Sequence, residues 1–346
     1  MELNSAPVFS TNDQMKFFRT LNSRVNNYFK ENKISKTGNW KLHLKTIVMF
    51  SIFLVPYFLM ISLEMPFWLY LVSNLVIGIG MAGVGMNVMH DGNHGSYSKN
   101  KWVNKFMGGS IYILAGNVYN WQVQHNVLHH TYTNIYGHDE DLDSGRIIRF
   151  AKEAKWFNFQ KIQHYYSIFL YGLLTINWAI TTDFKQMRGY MKRKLSFGKF
   201  PSPAVNWSIL VVTKIIYFTI WIVLPMLIGV AWWKVVIGFV VMHYTAGLIL
   251  SVVFQLAHVV NDTVTITPNE KGEIENTWAI HQLFTTANFA PKNFLVNYFT
   301  GGLNHQIEHH IFPNISHIHY KKIGKIVKET AQEFNLPYIP ANGNSQ

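Results

Sequence analysis

Four apolar stretches, each long enough to cross a lipid bilayer, constrain this chain more than any other feature. They run from about Ile47 to Leu63, from Pro66 to Met89, from Ile215 to Trp233 and from Val235 to Leu256. A membrane-spanning helix needs about 20 predominantly apolar residues. Only Glu64 and Met65 separate the first two stretches, and Lys234 separates the last two. We therefore predict two helical hairpins in a membrane.

The overall composition supports a membrane protein. Hydrophobic residues make up 49% of the chain and charged residues only 14%, whereas about 25% of residues are charged in soluble domains. The second stretch contains Gly78, Gly80, Gly83 and Gly85. Small residues let a neighbouring helix approach closely, so we expect this helix to pack tightly against others.

The distribution of positive charge predicts the orientation. Of the 30 Lys and Arg residues, eight precede the first stretch, fourteen lie between Lys99 and Lys199, and six follow the fourth stretch. Positive residues favour the cytosolic side, so we expect both termini and the central segment in the cytosol. Shorter apolar segments, Phe106 to Val118 and Tyr165 to Ile180, lie among basic residues and are predicted to be interfacial or re-entrant helices.

These patterns predict one membrane-bound domain over residues 1–346. Its expected parts are a cytosolic segment 1–45, a hairpin 46–89, a cytosolic segment 90–204, a second hairpin 205–257 and a cytosolic segment 258–346. The first 40 residues contain no apolar stretch of the signal-peptide type. The expected location is a multi-pass membrane protein, in the inner membrane if the source is bacterial.

The formal net charge of +12 calls for a partner of opposite sign. Anionic lipid headgroups, an acidic redox protein and nucleic acid all have the required charge. Nucleic acid is disfavoured, because the basic residues are spread over several segments and no recognisable nucleic-acid motif accompanies them. The chain also has no cysteine. A metal would therefore have to be held by His, Asp, Glu, Asn or Gln.

Histidines form dense groups just beyond the apolar stretches: His90 and His94 in HDGNH, then His125, His129 and His130 in QHNVLHH, then His305, His309 and His310 in NHQIEHH, with His258 following the fourth stretch. Residues four apart share one face of an α-helix. His90 with His94, and His125 with His129, can therefore each clamp one metal ion. All of these groups map to the predicted cytosolic side.

The number of imidazoles predicts two metal ions. Adjacent residues on a helix diverge by about 100°, so His129 and His130 suit two neighbouring ions better than one. Eight or more candidate imidazoles also exceed the six positions of a single octahedral ion. Imidazole binds zinc, copper, iron and nickel, and structural zinc usually stops at four ligands, so a nearly all-histidine dinuclear site favours iron. The predicted fold class is all-α, with four transmembrane helices in two hairpins and a cytosolic helical cap that holds this dimetal site.

Other residues near these groups have more than one interpretation. Asp91, Asp139, Glu140 and Asp141 lack ligand spacing and are either acceptors for the outer ring N–H of ligating histidines or parts of a solvated acidic loop. Isolated histidines are interpreted as satisfied core or surface residues; these are His43, His164, His243 and His319. His243 falls within the fourth stretch, where an ionisable residue indicates either function or an internal hydrogen bond.

Five segments resemble the histidine boxes and flanks of the membrane-bound fatty acid desaturases: HDGNH, HNVLHHTYTNIYGHDEDL, FQLAH, HQLFTTANFAP and GGLNHQIEHHIFPNISH. The QIEHH form is similar to that of the front-end group, which includes bacterial acyl-lipid Δ6-type enzymes. The resemblance covers nearly the whole chain. It implies a non-haem diiron enzyme that uses O2 and two external electrons to form a double bond between an existing double bond and the carboxyl end of an acyl chain.

The resemblance also implies a ligand set: His90, His94, His125, His129, His130, His258, His309 and His310, with Gln306 where other desaturases have a further histidine. His281 lies in a segment that is near the active site in the family, and its role stays open. The chain lacks the His-Pro-Gly-Gly haem motif of fused cytochrome b5 domains and has about 45 residues before its first stretch. We therefore expect a separate electron donor of the ferredoxin or cytochrome b5 type, and an acyl-lipid or acyl-CoA substrate.

Three functions other than desaturation are compatible with parts of the sequence. A hydroxylase or ketolase of the same histidine-box superfamily would use the same ligands. A metal transporter would place histidines within its spans to form a path, whereas these lie beyond the helix ends. A lipid-binding or scaffold protein would leave the histidine boxes without a purpose.

The third box yields a testable prediction. Spacing alone pairs His305 with His309 and His310, but the resemblance gives the ligand-side position to Gln306, whose carboxamide oxygen can bind a metal or hold a water. We expect His309→Ala to lose iron and product, Gln306→Ala to reduce both, and His305→Phe to keep most of each. Iron content and product yield of the three purified variants provide the measurement. Loss of iron in His305→Phe together with full activity in Gln306→Ala would contradict the prediction.

Overall fold

The computed structural model describes residues 6–142 and 145–339, which are almost entirely helical. In chain order the α-helices are α1 (Met15–Glu31), α2 (Trp40–Ser62), α3 (Phe67–Val84), α4 (His90–Asn93), α5 (Lys101–Gly108), α6 (Val118–Trp121), α7 (His130–Tyr132), α8 (Gln163–Gly172), α9 (Leu174–Asn177), α10 (Asp183–Arg193), α11 (Pro203–Phe218), α12 (Leu224–Leu227), α13 (Trp232–His258), α14 (Trp278–Thr285), α15 (Phe294–Phe299), α16 (Gln306–Ile311) and α17 (Tyr320–Glu333).

Short segments of other geometry join these helices. The π-helices are Gly85–Met89, Gln122–His129, Trp178–Thr182 and Thr219–Val223, and the 3-10 helices are Gly109–Leu114, Glu140–Leu142, Asn158–Ile162 and His317–His319. Strand β1 (Val8–Phe9) pairs in parallel with β2 (Glu273–Ile274). The expected all-α class is confirmed.

Four helices are long and apolar enough to cross a membrane, as predicted. They are Trp40–Ser62, Phe67–Asn93, Pro203–Leu227 and Trp232–His258. The third differs from the expected stretch of Ile215 to Trp233, because Pro203 begins the helix twelve residues earlier and the backbone turns at Gly229, where φ is +101°. Lys214 was expected to precede this helix and instead lies inside it.

Helical structure around the two shorter apolar segments extends further than predicted. The segment from Phe106 to Val118 includes the end of α5 and a 3-10 helix. The segment from Tyr165 to Ile180 lies within a nearly continuous helical path from Gln163 to Arg193. The residues from Asp183 to Arg193 are more polar than those of the apolar segment, but they continue in helical conformation as α10.

The chain divides into two compact units. The histidine unit comprises residues 1–39, 124–163 and 253–346, and the span unit comprises residues 40–123 and 164–252. In the histidine unit, α1 buries Phe17, Leu21, Val25 and Phe29, which are spaced four apart and therefore form one helical stripe. This stripe belongs to a core with buried side chains of α14, α16 and α17. The core thus holds the helix that carries the third histidine box.

Glycines permit close helix packing in the span unit. A Cβ atom on Gly80 would lie 2.5 Å from the backbone nitrogen of Phe53 in α2, and one on Gly78 would lie 2.5 Å from the carbonyl oxygen of Met242 in α13. Gly92 of the first box is equally confined, since its Cβ would lie 2.4 Å from the backbone nitrogen of Gly108. The glycines of α3 therefore act as the sequence predicted.

A buried ion pair crosslinks the span unit. The Lys214 ammonium lies 2.7 Å from Oδ2 of Asp183, and the two side chains are only 6% and 5% exposed. The same ammonium donates to the carbonyl oxygens of Ala115 and Trp178. The other carboxylate oxygen of Asp183 accepts from Asn120 at 3.0 Å. The charges are thus matched and hydrogen-bonded, which a buried pair requires.

We predict that this pair behaves as a unit. Lys214→Met leaves an uncompensated buried carboxylate and should destabilise the fold by about 3–5 kcal/mol. Adding Asp183→Asn should restore much of that loss, because the second change removes the isolated charge. Thermal unfolding of the purified variants in detergent measures this coupling. Lys234→Met is the control, with an expected effect within about 0.5 kcal/mol, and additive losses in the double variant would contradict the prediction.

Candidate metal centre

The third box occupies a short helix whose start is fixed by two glycines and by the side chain of Asn288. Gly301 and Gly302 precede it with φ of +62° and +73°, a left-handed conformation that favours glycine. A Cβ on Gly302 would also lie 2.8 Å from Cβ of His317. The side-chain oxygen of Asn288 accepts from the backbone N–H of Ile307. α16 therefore presents Gln306, His309 and His310 from a fixed position.

The second box is built on a π-helix rather than on an α-helix. Gln122–His129 is π-helical and leads into α7, and such segments frequently occur at functional sites. In a π-helix the residues five apart come into register, and Nε2 of His125 lies 3.2 Å from Nε2 of His130. His125 and His129, which the α-helical spacing paired, have stacked rings 5.4 Å apart. The backbone geometry thus adds the His125–His130 approach.

Imidazoles from three parts of the chain converge within the histidine unit. Two sets of three rings bring one nitrogen each to within 4.8 Å of one another: His129 with His258 and His310, and His130 with His309 and His310. The nearest approach joins Nε2 of His130 to Nε2 of His309 at 3.0 Å. Adjacent His129 and His130 fall into different sets. This arrangement is a histidine-rich cluster that can hold metal.

The far side of several rings is fixed by a hydrogen bond. Nδ1 of His129 lies 3.1 Å from Oδ2 of Asp139, whose two oxygens also accept backbone N–H groups of Asn134 and Asp141. The side-chain amide oxygen Oε1 of Gln282 accepts from Nδ1 of His310 at 2.9 Å. Partners of this kind orient the ring and fix its tautomer in metal sites.

His309 has a comparable anchor in the next helix. Its Nδ1 lies 3.2 Å from the phenol oxygen of Tyr320, the first residue of α17. The 3-10 helix His317–His319 leads directly into α17. The ring is therefore connected to the histidine unit through α17 as well as through its own helix α16.

The buried donors fit a metal ion. Among the described residues, Nε2 of His129 is buried without a hydrogen-bond partner, which is costly unless another ligand satisfies it. Burial, followed by the charge of His130, lowers the pKa of His310 well below its ordinary value. This ring therefore stays neutral and keeps a lone pair for coordination. Burial opposes protonation of His129, but the charge and hydrogen bond of Asp139 outweigh it and raise its pKa.

Gln306 lies inside the cluster and His305 lies outside it. The Gln306 amide nitrogen is 2.7 Å from Nε2 of His258 and 3.3 Å from Nε2 of His310, and its oxygen is buried with no hydrogen-bond partner within residues 6–142 and 145–339. His305 instead contacts Oδ1 of Asn297 through Nε2, at 2.8 Å. Burial lowers the pKa of His305 to about 4. The structure therefore places Gln306, and not His305, against the converging imidazoles.

Three other candidate residues have different positions. His281 donates from Nε2 to the carbonyl oxygen of Thr133 at 2.7 Å and stands outside both sets of imidazoles. Asp91 is buried, and its backbone oxygen accepts from Ser96. Glu308, whose position between the third-box histidines suggests either a partner for a basic residue or an outer acceptor, accepts hydrogen bonds from Asn288 and Tyr338 at 2.8 Å each.

The first box belongs to the span unit. A π-helix, Gly85–Met89, leads into α4, and the rings of His90 and His94 lie side by side with centroids 4.6 Å apart. Each ring also meets the Trp121 indole edge-on, at 5.6 Å. The two imidazoles are thus adjacent, as their spacing predicted.

The isolated histidines occupy ordinary core or surface positions: His43 and His319 contact the Tyr97 hydroxyl and the Thr37 carbonyl oxygen, and His164 is exposed. His243 contacts the Tyr217 hydroxyl at 2.7 Å and Thr175 at 2.9 Å, so an internal hydrogen bond explains its presence in a span. Sequence reasoning missed the anchoring roles of Gln282 and Tyr320. Gln282 follows His281 in a segment that had been noted, whereas nothing in the spacing of Tyr320 distinguishes it.

Comparison with known proteins places this site in a family. The model of the fatty acid desaturase family matches residues 65–342. The chain belongs to the fatty acid desaturase family. It is 36% identical to a sn-1 linoleoyl-lipid 6-desaturase of Arthrospira platensis over 93% of this chain and 87% of that protein. A Synechocystis protein with the same description is 34% identical over 93% of this chain and 89% of its own length.

A more distant relative extends the comparison. An acyl-lipid (8-3)-desaturase of Physcomitrium patens is 32% identical over 93% of this chain and 67% of that protein. This desaturase is therefore an oxidoreductase of lipid metabolism, and the resemblance drawn from its histidine boxes is confirmed.

The Asp139 contact in this desaturase provides a prediction. Asp139→Asn keeps the side-chain size but removes the charge that faces His129, so metal affinity should fall by about 10- to 100-fold. Metal content after equilibration with a graded series of chelator concentrations measures the change. Asp262→Asn, at an exposed carboxylate, is the matched control and should bind metal as the unaltered chain does. Equal metal retention in both variants would show that Asp139 does not support the site.

Proposed function

We propose that this desaturase forms a cis double bond in a membrane-associated acyl chain at a non-haem diiron centre. Convergence of the two imidazole sets around His310 is the observation that carries the proposal, because it gathers many imidazole nitrogen donors in a chain without cysteine. When bound, two iron ions would supply the O2-dependent oxidant that an unactivated methylene group requires.

The proposed metal ligands are those that the sequence predicts: His90, His94, His125, His129, His130, His258, His309 and His310. Gln306 is proposed to contribute beside them through its carboxamide, and Asp139, Gln282 and Tyr320 to hold the rings of His129, His310 and His309. His305 is assigned no contact with metal, since Asn297 holds its Nε2. These side chains fix the tautomers and exclude alternative ring orientations.

The proposed reaction is balanced by electrons from two sources. Each double bond releases two hydrogen atoms, which are two protons and two electrons, from adjacent methylene groups. A separate carrier supplies two further electrons, and two more protons come from the solvent. Together these four electrons and four protons reduce O2 to two waters. The carrier is proposed to be an acidic protein of the ferredoxin or cytochrome b5 type. The basic chain, with its +12 charge, would attract it electrostatically.

The proposed substrate is an acyl lipid that already has a double bond. Two relatives are described as linoleoyl-lipid 6-desaturases, and a linoleoyl group has its existing double bonds farther from the carboxyl end than carbon 6. We infer that this chain likewise acts on the carboxyl side of an existing double bond. A lipid-linked chain would reach the site by diffusion within the bilayer.

The proposed topology follows the positive-inside rule. Hairpins 46–89 and 205–257 would cross the membrane, and segments 1–45, 90–204 and 258–346 would lie in the cytosol with the metal centre. In a bacterial cell the membrane would be the inner membrane.

Expression in a host without polyunsaturated lipids tests the function. Cells fed linoleate should accumulate a fatty acid with a new double bond on the carboxyl side of the existing pair, located by mass spectrometry after derivatisation. His309→Ala should form none. The purified unaltered chain should contain about two irons, because the proposed ligands outnumber the six positions of one octahedral ion. Hydroxylated products would favour the hydroxylase alternative, and unaltered lipids with an active electron donor present would refute the proposal.

A further inference from the structure

α17 carries a row of lysines on its outer face. Lys321, Lys325 and Lys328 are spaced four and three residues apart, so they lie on one side of the helix, and Lys322 lies beside them. All four are exposed. The opposite face buries Tyr320, Ile323, Gly324 and Val327 in the core of the histidine unit. We call Lys321, Lys322, Lys325 and Lys328 the lysine row.

The row is not explained by the stability of the helix. A helix N-terminus carries partial positive charge, so Lys321 and Lys322 in the first turn of α17 are electrostatically unfavourable there, and that turn has no acidic residue. Among the described residues no carboxylate forms an ion pair with the lysine row. Glu333 of the same helix pairs with Arg24 of α1 instead, at 2.7 Å.

The row is directly connected to the proposed metal centre. Tyr320, the residue before Lys321, has its phenol oxygen 3.2 Å from Nδ1 of His309. One hydrogen bond and a short run of covalent bonds therefore lead from the outer face of α17 to an imidazole whose Nε2 lies 3.0 Å from that of His130. A helix with its side chains is only about 10–12 Å in diameter, so a protein docked on this face would come close to the cluster.

The composition of this surface distinguishes a protein partner from a bilayer. Membrane-interface helices combine basic residues with exposed apolar side chains. α5 has that composition, with Trp102 and Phe106 exposed by 75% and 78% beside Lys101 and Lys105. In contrast, no large hydrophobic side chain is exposed between residues 296 and 339.

We propose that the lysine row is the docking surface for an acidic one-electron carrier protein, with Tyr320 and His309 on the path from the docked carrier to the metals. The proposal rests on the proposed function, since two carrier electrons are consumed for each double bond. It adds the location at which the carrier binds.

Direct binding tests the proposal on the full chain in nanodiscs. The probe is an oxidised plant-type [2Fe–2S] ferredoxin, and the variant is the triple reversal Lys321→Glu, Lys325→Glu and Lys328→Glu. We expect ferredoxin affinity to fall at least tenfold at low ionic strength. The difference should shrink as salt shortens the screening length from about 30 Å at 0.01 M to about 3 Å at 1 M. The matched control reverses Lys192, Lys199 and Lys271, which are also exposed, and should bind within twofold of the unaltered chain.

Further variants and two lipid compositions distinguish binding of a protein carrier from binding of lipid. Lys→Gln changes at the same three positions alter the charge by half as much as the Lys→Glu reversal and should give an intermediate loss of ferredoxin affinity. They provide the test if the reversal variant unfolds. Equal binding by the unaltered chain, the reversal and the control would overturn the proposal. A difference that appears only in nanodiscs containing phosphatidylglycerol, and not in phosphatidylcholine alone, would assign the row to lipid and also overturn it. Because binding is measured without acyl substrate or turnover, failure of the double-bond chemistry leaves this test intact.

Discussion

The structure of the site depends on one constraint: buried imidazole nitrogens face one another at close range. Nε2 of His130 lies 3.0 Å from Nε2 of His309 and 3.2 Å from Nε2 of His125. Each ring nitrogen offers either one N–H or one lone pair, so Nε2 of His130 can form a full hydrogen bond to only one of these two neighbours, and protonated rings would repel in a buried site. A shared cation removes this conflict. The cluster is thus coherent as a ligand set and unfavourable as a simple core.

Much of the histidine unit serves to maintain that arrangement. The rings do not depend on their own short helices alone, since Asp139, Gln282 and Tyr320 hold their outer nitrogens. Asp139 and Tyr320 follow their rings by 10 and 11 residues along the chain, whereas Gln282 lies 28 residues before His310. Glu308 adds a buried link, because Asn288 and Tyr338 both donate to its carboxylate. The third box is therefore supported from α14, α17 and the segment after α17.

The basic surfaces of α5 and α17 differ in the side chains that surround their lysines. Aromatic side chains beside Lys101 and Lys105 suit the interface of a membrane, where an apolar body and a charged end both find a favourable environment. The lysine row on α17 has no such aromatic neighbours and a direct connection to His309 through Tyr320. Under the docking proposal, the positive charge of the chain would serve an acidic protein at the lysine row and lipid headgroups at α5.

The sequence by itself determined the helical membrane class, the four spans and the histidine boxes. Length and hydropathy are local properties, and box spacing survives whatever the tertiary fold. The bounds of the third span differ from the hydropathy pattern, which places Lys214 before the span, because a neutralising partner, Asp183, allows Lys214 to lie inside it. Nothing local to Lys214 reveals that partner 31 residues upstream in the sequence.

Only the tertiary structure decided how the boxes are used. It placed Gln306 against His258 and His310 and turned His305 toward Asn297, although spacing alone favours His305. It also brought His125 to His130 through a π-helix, which a periodicity of 3.6 residues does not predict. Gln282 and Tyr320 became anchors because folding brings them against His310 and His309, which are 28 and 11 residues away along the chain. These choices depend on non-local contacts and on backbone geometry, and neither is encoded in residue spacing.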